Sequence, residues 1–190
     1  MRVVKAKNFD TSNLTLGTPQ RIIQGQHFAI PIKYDGDENV MIQLPRCQIA
    51  ESVYEVGGKF YCEIVIPTRG VVNAKYFDIA LRIENSLSNY NQTGGPYTFL
   101  GHVRHMRAEK AHAGHTSIKY SCLRLKLPKN KSQILTEVHN VAGKKLSLKE
   151  VVKGATILPI VSLEHAYIVN NTLGFNLLLR QVVTTTEEND

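Results

Sequence analysis

The chain contains no tryptophan and only three cysteines, Cys47, Cys62 and Cys122. An odd number without a CxxC pair argues against a disulfide scaffold and points to a reducing compartment. No stretch approaches the roughly 18 apolar residues of a membrane-spanning helix, so no membrane partner is expected. Met1-Arg2-Val3-Val4-Lys5 leads into no apolar run. No signal peptide is therefore expected, and the protein reads as intracellular. The sequence also lacks a GxxxxGK[ST] loop, an HExxH pair and a GxSxG elbow. The cysteines lie in apolar, strand-like contexts, where a buried structural thiol is the default. Neither catalysis nor a cofactor is expected.

Acidic residues are the other scarcity. Lys and Arg number 23 against 16 Asp and Glu, a net charge of +7. Three of those acids, Glu187, Glu188 and Asp190, crowd the C-terminal end, so the body is more basic still. A basic body favours acidic partners such as nucleic acid or an anionic membrane face. The 190 residues suit one domain, and 43% apolar residues is an ordinary globular share. With tryptophan absent, eight Tyr and six Phe supply all the aromatic surface.

Along the chain, residues 1–26 are polar and poorly patterned and read as an irregular N-terminal arm. Phe28–Tyr34 alternates as a strand, Asp35-Gly36-Asp37 is a turn, and Val40–Leu44 can return as a second strand. Val53–Val56, Gly57-Gly58 and Lys59–Ile66 form a strong hairpin signal. From Asn73, a plausible N-cap, Tyr76, Ile79, Ala80, Ile83 and Leu87 fall at helical spacing, so the one long helix is expected over 74–88. Ile118–Leu127 is a strand whose apolar phase shifts between Cys122 and Leu123, the mark of a bulge or of burial on both faces. Ile134–Val138 is another strand, Leu146–Val152 a short helix, and Ala155–Val169 with Thr172–Thr184 a long terminal hairpin around Asn170-Asn171. Residues 185–190 form an acidic tail. This order predicts a mainly β chain: a Greek-key barrel or sandwich, best an OB-like barrel over 27–184, with the helix between its third and fourth strands.

The C-terminal third carries a resemblance. Residues 141–182 run VAGKKLSLKEVVKGATILPIVSLEHAYIVNNTLGFNLLLRQV. The Gly-containing turn, the Leu-x-x-Val segment, Lys-Gly, an apolar strand and then Gly174-Phe175 with Gln181-Val182 resemble the end of OB-fold single-stranded-DNA-binding proteins of large eukaryotic DNA viruses. Met41–Pro45, Lys59–Ile66 and Lys75–Leu87 are similar in order to that family's early strands and helix. The resemblance implies a non-sequence-specific single-stranded-DNA-binding protein in viral DNA replication or recombination. It would act where viral DNA replicates in the host, in the nucleus or a cytoplasmic factory. The acidic tail would recruit replication proteins or compete for the groove. The alternative from another class is a basic β-sandwich assembly protein of a virion.

Single-strand binding needs cations for phosphates and aromatic faces for bases. Lys119, Tyr120, Arg124 and Lys126 share one strand, and its phase leaves open whether Tyr120 faces a groove or the core. Lys59 and Tyr61 fall on one strand face, with Phe60 on the other. Tyr167, Phe175 and Arg180 form a set on the terminal hairpin. Arg69 and the basic loop of residues 101–116, with Arg104, Arg107 and Lys110, complete the candidates. Within that loop, His102, His105, His112 and His115 have the spacing of two metal-binding pairs. Four-His zinc is not a usual structural set, and the intervening cations oppose a dication, so no metal is expected.

Overall fold

The computed structural model describes residues 2–23, 27–38, 40–67, 70–76, 78–79, 98–99, 103–107, 118–170 and 172–185. For residues 23, 98–99, 103–107 and 118–120 it describes the backbone alone. The strands in chain order are β1 (Val3–Lys5), β2 (Leu14–Leu16), β3 (Gln20–Ile23), β4 (His27–Tyr34), β5 (Met41–Gln43), β6 (Cys47–Val56), β7 (Lys59–Ile66) and β8 (Thr98–Phe99). They continue as β9 (Val103–Arg107), β10 (Ile118–Leu127), β11 (Lys129–Asn130), β12 (Gln133–Ile134), β13 (Glu137–Asn140), β14 (Lys145–Leu146), β15 (Thr156–Val169) and β16 (Thr172–Thr184).

Five of these strands close on themselves. β6 pairs antiparallel with β7, β7 with β10, β16 with β15, and β15 with β6. The circuit is completed by a parallel junction of β10 with β16, at Lys126 opposite Leu178. The alternation of the sequence sets what fills the ring. Cys62, Ile64 and Ile66 of β7 and Leu123, Leu125 and Leu127 of β10 are buried in one core with Val161, Leu163, Phe175 and Leu179 of the terminal hairpin. The β6–β7 hairpin turns on Gly57 and Gly58, both at positive φ (57° and 74°). A two-residue turn of that hand matches the strand twist and suits glycine at both places.

The terminal hairpin is the spine of the fold. One edge of β15 takes β6, β5 and β4 in turn, and the outer edge of β16 takes β8, β10 and β13. Two register shifts, at Ile160/Val161 and between Leu163 and Ala166, let so long a hairpin coil around the core. The β10 phase problem resolves as burial on both faces, since Ser121, Cys122 and Leu123 are successively buried. The register shift lies earlier, at Ile118/Tyr120.

Several expectations are corrected. The lead-in is not irregular. It contributes β1 to β3, and its Phe9 stacks on Tyr34 at 4.6 Å in the core. β5 does not return on β4 but pairs with β1 and β15. Helical residues begin at 71, so Asn73 is a buried position inside the helix and not its cap. They lie between the second and third barrel strands, not the third and fourth. Ala80, Ile83 and Leu87 fall outside the described residues. Part of the expected 101–116 loop is strand β9, antiparallel to β10. The expected helix over 146–152 is a single 3-10 turn, Leu148–Glu150, capped by Ser147. Among the described residues, no helix is long and apolar enough to cross a membrane.

Candidate nucleic-acid interface

The outer face of the second and third barrel strands is where the sequence-predicted groups meet. On β7, the residues alternating with the core positions are Lys59, Tyr61 and Glu63. On β10 they are Arg124 and Lys126. The antiparallel register sets Tyr61 opposite Lys126 and Glu63 opposite Arg124, so aromatic and cation interleave. The outer face of the terminal hairpin adds His165, Tyr167 and Asn176. All of these except the buried Glu63 line an open groove of about 580 Å³, and none of its described lining residues is acidic.

The lining includes Lys59, the first residue of β7, and Asn170 at the tip of the β15–β16 hairpin, which takes a positive φ of 48°.

Electrostatics follow from this crowding. Burial and then the neighbouring Lys59 lower the Lys126 pKa. Burial and then Lys126 lower the His165 pKa. Burial and then Tyr61 raise the Tyr167 pKa, keeping its hydroxyl protonated. The cations Lys59 and Lys126 thus repel each other beside two half-buried tyrosine rings. No ion pair to either lysine occurs among the described residues.

Arg124 is placed differently. Its guanidinium carbon lies 5.5 Å from the centre of the Tyr61 ring. Its Nε is 3.6 Å from Oε1 of Glu63, a carboxylate only 2% exposed. The Tyr54 hydroxyl donates to that same oxygen at 2.7 Å, and the Tyr54 and Tyr61 rings are 6.0 Å apart.

Tyr167 owes its pose to the residue across the hairpin. It pairs with Gly174, and a Cβ there would fall 2.5 Å from the tyrosine Oη and 2.6 Å from Cζ. Only a residue without a side chain lets the ring lie flat on the sheet.

Of the sequence-predicted residues, Lys59, Tyr61, Arg124, Lys126 and Tyr167 line the groove. Phe175 does not: it is fully buried, its ring 5.0 Å from that of Tyr76. It is a core residue, because it alternates with Gly174 and so faces inward. Arg180 is not a groove cation either. It is ion-paired to Glu164, and its Nε donates to the Ser162 hydroxyl at 2.8 Å. Arg104, Arg107, Lys119 and Tyr120 lie on β9 and β10, but their side chains fall outside the described residues. So do Arg69, Lys110, His102, His112 and His115. His105 is on β9, opposite Ser121.

His165, Asn176, Glu63 and Gly174 were missed by sequence reasoning. The signal for Gly174 was present: counting outward from the Asn170-Asn171 turn puts it directly across from Tyr167. His165 and Glu63 each stand two residues from a predicted groove tyrosine, on the same strand face by alternation. The three cysteines behave as structural thiols. Burial raises the Cys47 and Cys62 pKa values to about 12, far from nucleophilic.

A ring of five strands, antiparallel except for one parallel closure between the third and fifth, is an OB-type barrel. In such barrels the face of strands two and three, with the loops joining strands one to two and four to five, is the usual ligand surface. Comparison with solved structures agrees on the fold. The chain is similar to gp2.5, a single-stranded DNA binding protein encoded by bacteriophage T7, at 13% identity and a TM-score of 0.50, over 79% of this chain and 93% of that one. It also matches the single-stranded DNA-binding protein from bacteriophage Enc34 in complex with ssDNA, at 11% identity and a TM-score of 0.48, over 92% and 97% of the two chains. No family model and no curated protein matches the sequence.

Proposed function

We propose that the chain binds single-stranded DNA without sequence preference along this groove. Bases stack on Tyr61 and Tyr167, and Lys59 and Lys126 meet the phosphates. The observation that carries the reading is the juxtaposition itself. Two tyrosine rings and two mutually repelling lysines share the face of an OB-type barrel where ligands usually bind, with no acid among the described lining residues. Stacking is tolerant of sequence because every base has a π-face, and the backbone supplies a regular row of anions. That the T7 protein of the same fold is a single-stranded DNA binding protein supports the reading in kind. A role in viral DNA replication, and kinship with proteins of large eukaryotic DNA viruses, rest on the residues between 141 and 182. We assign the acidic tail, whose acidic residues lie outside the described residues, to recruiting replication proteins.

The test is a titration of fluorescent oligonucleotides of one length as single-stranded DNA, duplex and RNA. Single-stranded DNA is expected to bind at least about tenfold more tightly than duplex. Tyr61→Ala and Tyr167→Ala should each cost about 1–3 kcal/mol of that affinity with little change in melting temperature. Equal affinity for duplex and single strand would reject the groove as a single-strand site.

A further inference from the structure

A buried carboxylate directly behind a groove for polyanions needs a reason. Isolated, it would repel the ligand and carry the cost of desolvation. Glu63 is 2% exposed, accepts a hydrogen bond from the Tyr54 hydroxyl at 2.7 Å, and faces Arg124 at 3.6 Å. Arg124 in turn covers the Tyr61 ring at 5.5 Å. Its neighbours on the groove floor, Lys59 and Lys126, have no such acid among the described residues.

Resting on the single-strand reading above, we propose that Glu63 is a positioning residue that converts Arg124 from a phosphate contact into part of the base-stacking platform. A guanidinium paired with a carboxylate has its charge offset, and the Tyr61 ring beneath it restrains its plane. The planar fork is pre-organised and stacks on aromatic rings, which an ammonium does not do. Arginine planes also accept nucleobases as stacking partners. The Tyr54 hydroxyl fixes the carboxylate, the carboxylate attracts Arg124, and Arg124 extends the surface that Tyr61 presents. The groove then has a division of labour: Arg124 with Tyr61 and Tyr167 hold bases, and Lys59 and Lys126 hold phosphates.

The inference is tested with two probes of equal length: an oligothymidylate and an abasic oligomer with the same sugar–phosphate backbone. Glu63→Gln keeps the shape and the acceptor for Tyr54 but removes the charge. Freed to meet phosphate, Arg124 should steepen the plot of log K against log[salt] by about 0.7, one single-strand contact. The preference for oligothymidylate over the abasic oligomer should shrink by about fivefold, the lower end of one base stack. Arg124→Lys should also shrink that preference, but with no change of slope, because its charge is kept. A Glu63→Gln protein that melts like the wild type yet keeps both slope and preference would overturn the inference. Should that variant fold poorly, Tyr54→Phe serves in its place: movement of both quantities in the same direction supports the inference, and no movement overturns it. The wild type separates the two levels of the argument. If it binds neither probe, the single-strand reading itself falls. If it binds both equally, stacking in the groove falls with the inference.

Discussion

His165 shows how one side chain can couple the groove to solution conditions. Burial and the adjacent Lys126 push its pKa down, so the folded protein holds the imidazole neutral where an exposed one begins to charge. The groups facing it across the groove are Lys59, Arg124, Lys126, Tyr61 and Tyr167, and none is acidic. Because the pKa is depressed in the folded state, the unfolded chain binds the extra proton more readily. The stability contributed by neutral His165 is complete above the ordinary histidine range, about 6.5, and is lost as pH falls through the folded value. A bound phosphate reverses the preference, since it favours the imidazolium. Single-strand affinity should therefore rise as pH drops below the ordinary histidine value of 6.5, while the free protein becomes less stable. His165→Gln should flatten the affinity profile on the acid side of that value. A profile that stays as steep without His165 would remove the residue from the interface. Neither effect was legible from the sequence, where His165 was one of seven histidines and attention went to the cluster at 102–115.

At the scale of elements, the β15–β16 hairpin is the part on which sequence and structure agree best. Its strands run from Thr156 to Val169 and Thr172 to Thr184, within a residue of the alternation read from the sequence. The two-residue connection then fixes the cross-strand pairs up to the first register shift, from Val169 with Thr172 to Ala166 with Phe175, including Tyr167 with Gly174. Gly174→Ala is the sharpest test of that pair. The new methyl must displace the ring from the sheet, so single-strand affinity should fall by about 1–3 kcal/mol, as in Tyr167→Ala. Combining the two changes should cost no more than Tyr167→Ala alone, because the glycine acts only through the ring. An additive double mutant would show that Gly174 serves the fold and not the tyrosine. Local alternation also gave the β6–β7 hairpin and the β10 strand. Partners distant in sequence were another matter. Nothing in Val40–Leu44 says that it joins β15 and not β4, because a short apolar run pairs with whichever edge the rest of the fold leaves open. Phe175 misled for a similar reason: an aromatic one residue from a groove position lies on the opposite face, and only the register reveals which face is which.

For the whole molecule, the barrel is a ring of unequal joints. β7 and β10 share seven paired positions, from Ser121 with Ile66 to Leu127 with Phe60. β10 and β16 meet at a single one, Lys126 with Leu178. That joint lies under the groove, with Lys126 on one bank and His165, Tyr167 and Asn176 on the other. The β15–β6 joint is also short, with two paired positions, but the β10–β16 joint is the thinnest of the five. A ring should breathe first at its thinnest joint, so amide hydrogens near it should exchange by local opening while those between β7 and β10 wait for rarer events. A ligand that spans both banks acts as a clasp. Saturating single-stranded DNA should slow exchange around residues 125–128 and 176–179 more than around residues 62–65. Uniform slowing across the sheet would mean that binding stabilises the protein only by mass action. In mechanical terms, a strand bound as proposed would become part of the barrel wall, so that holding DNA and holding the ring shut would be one event.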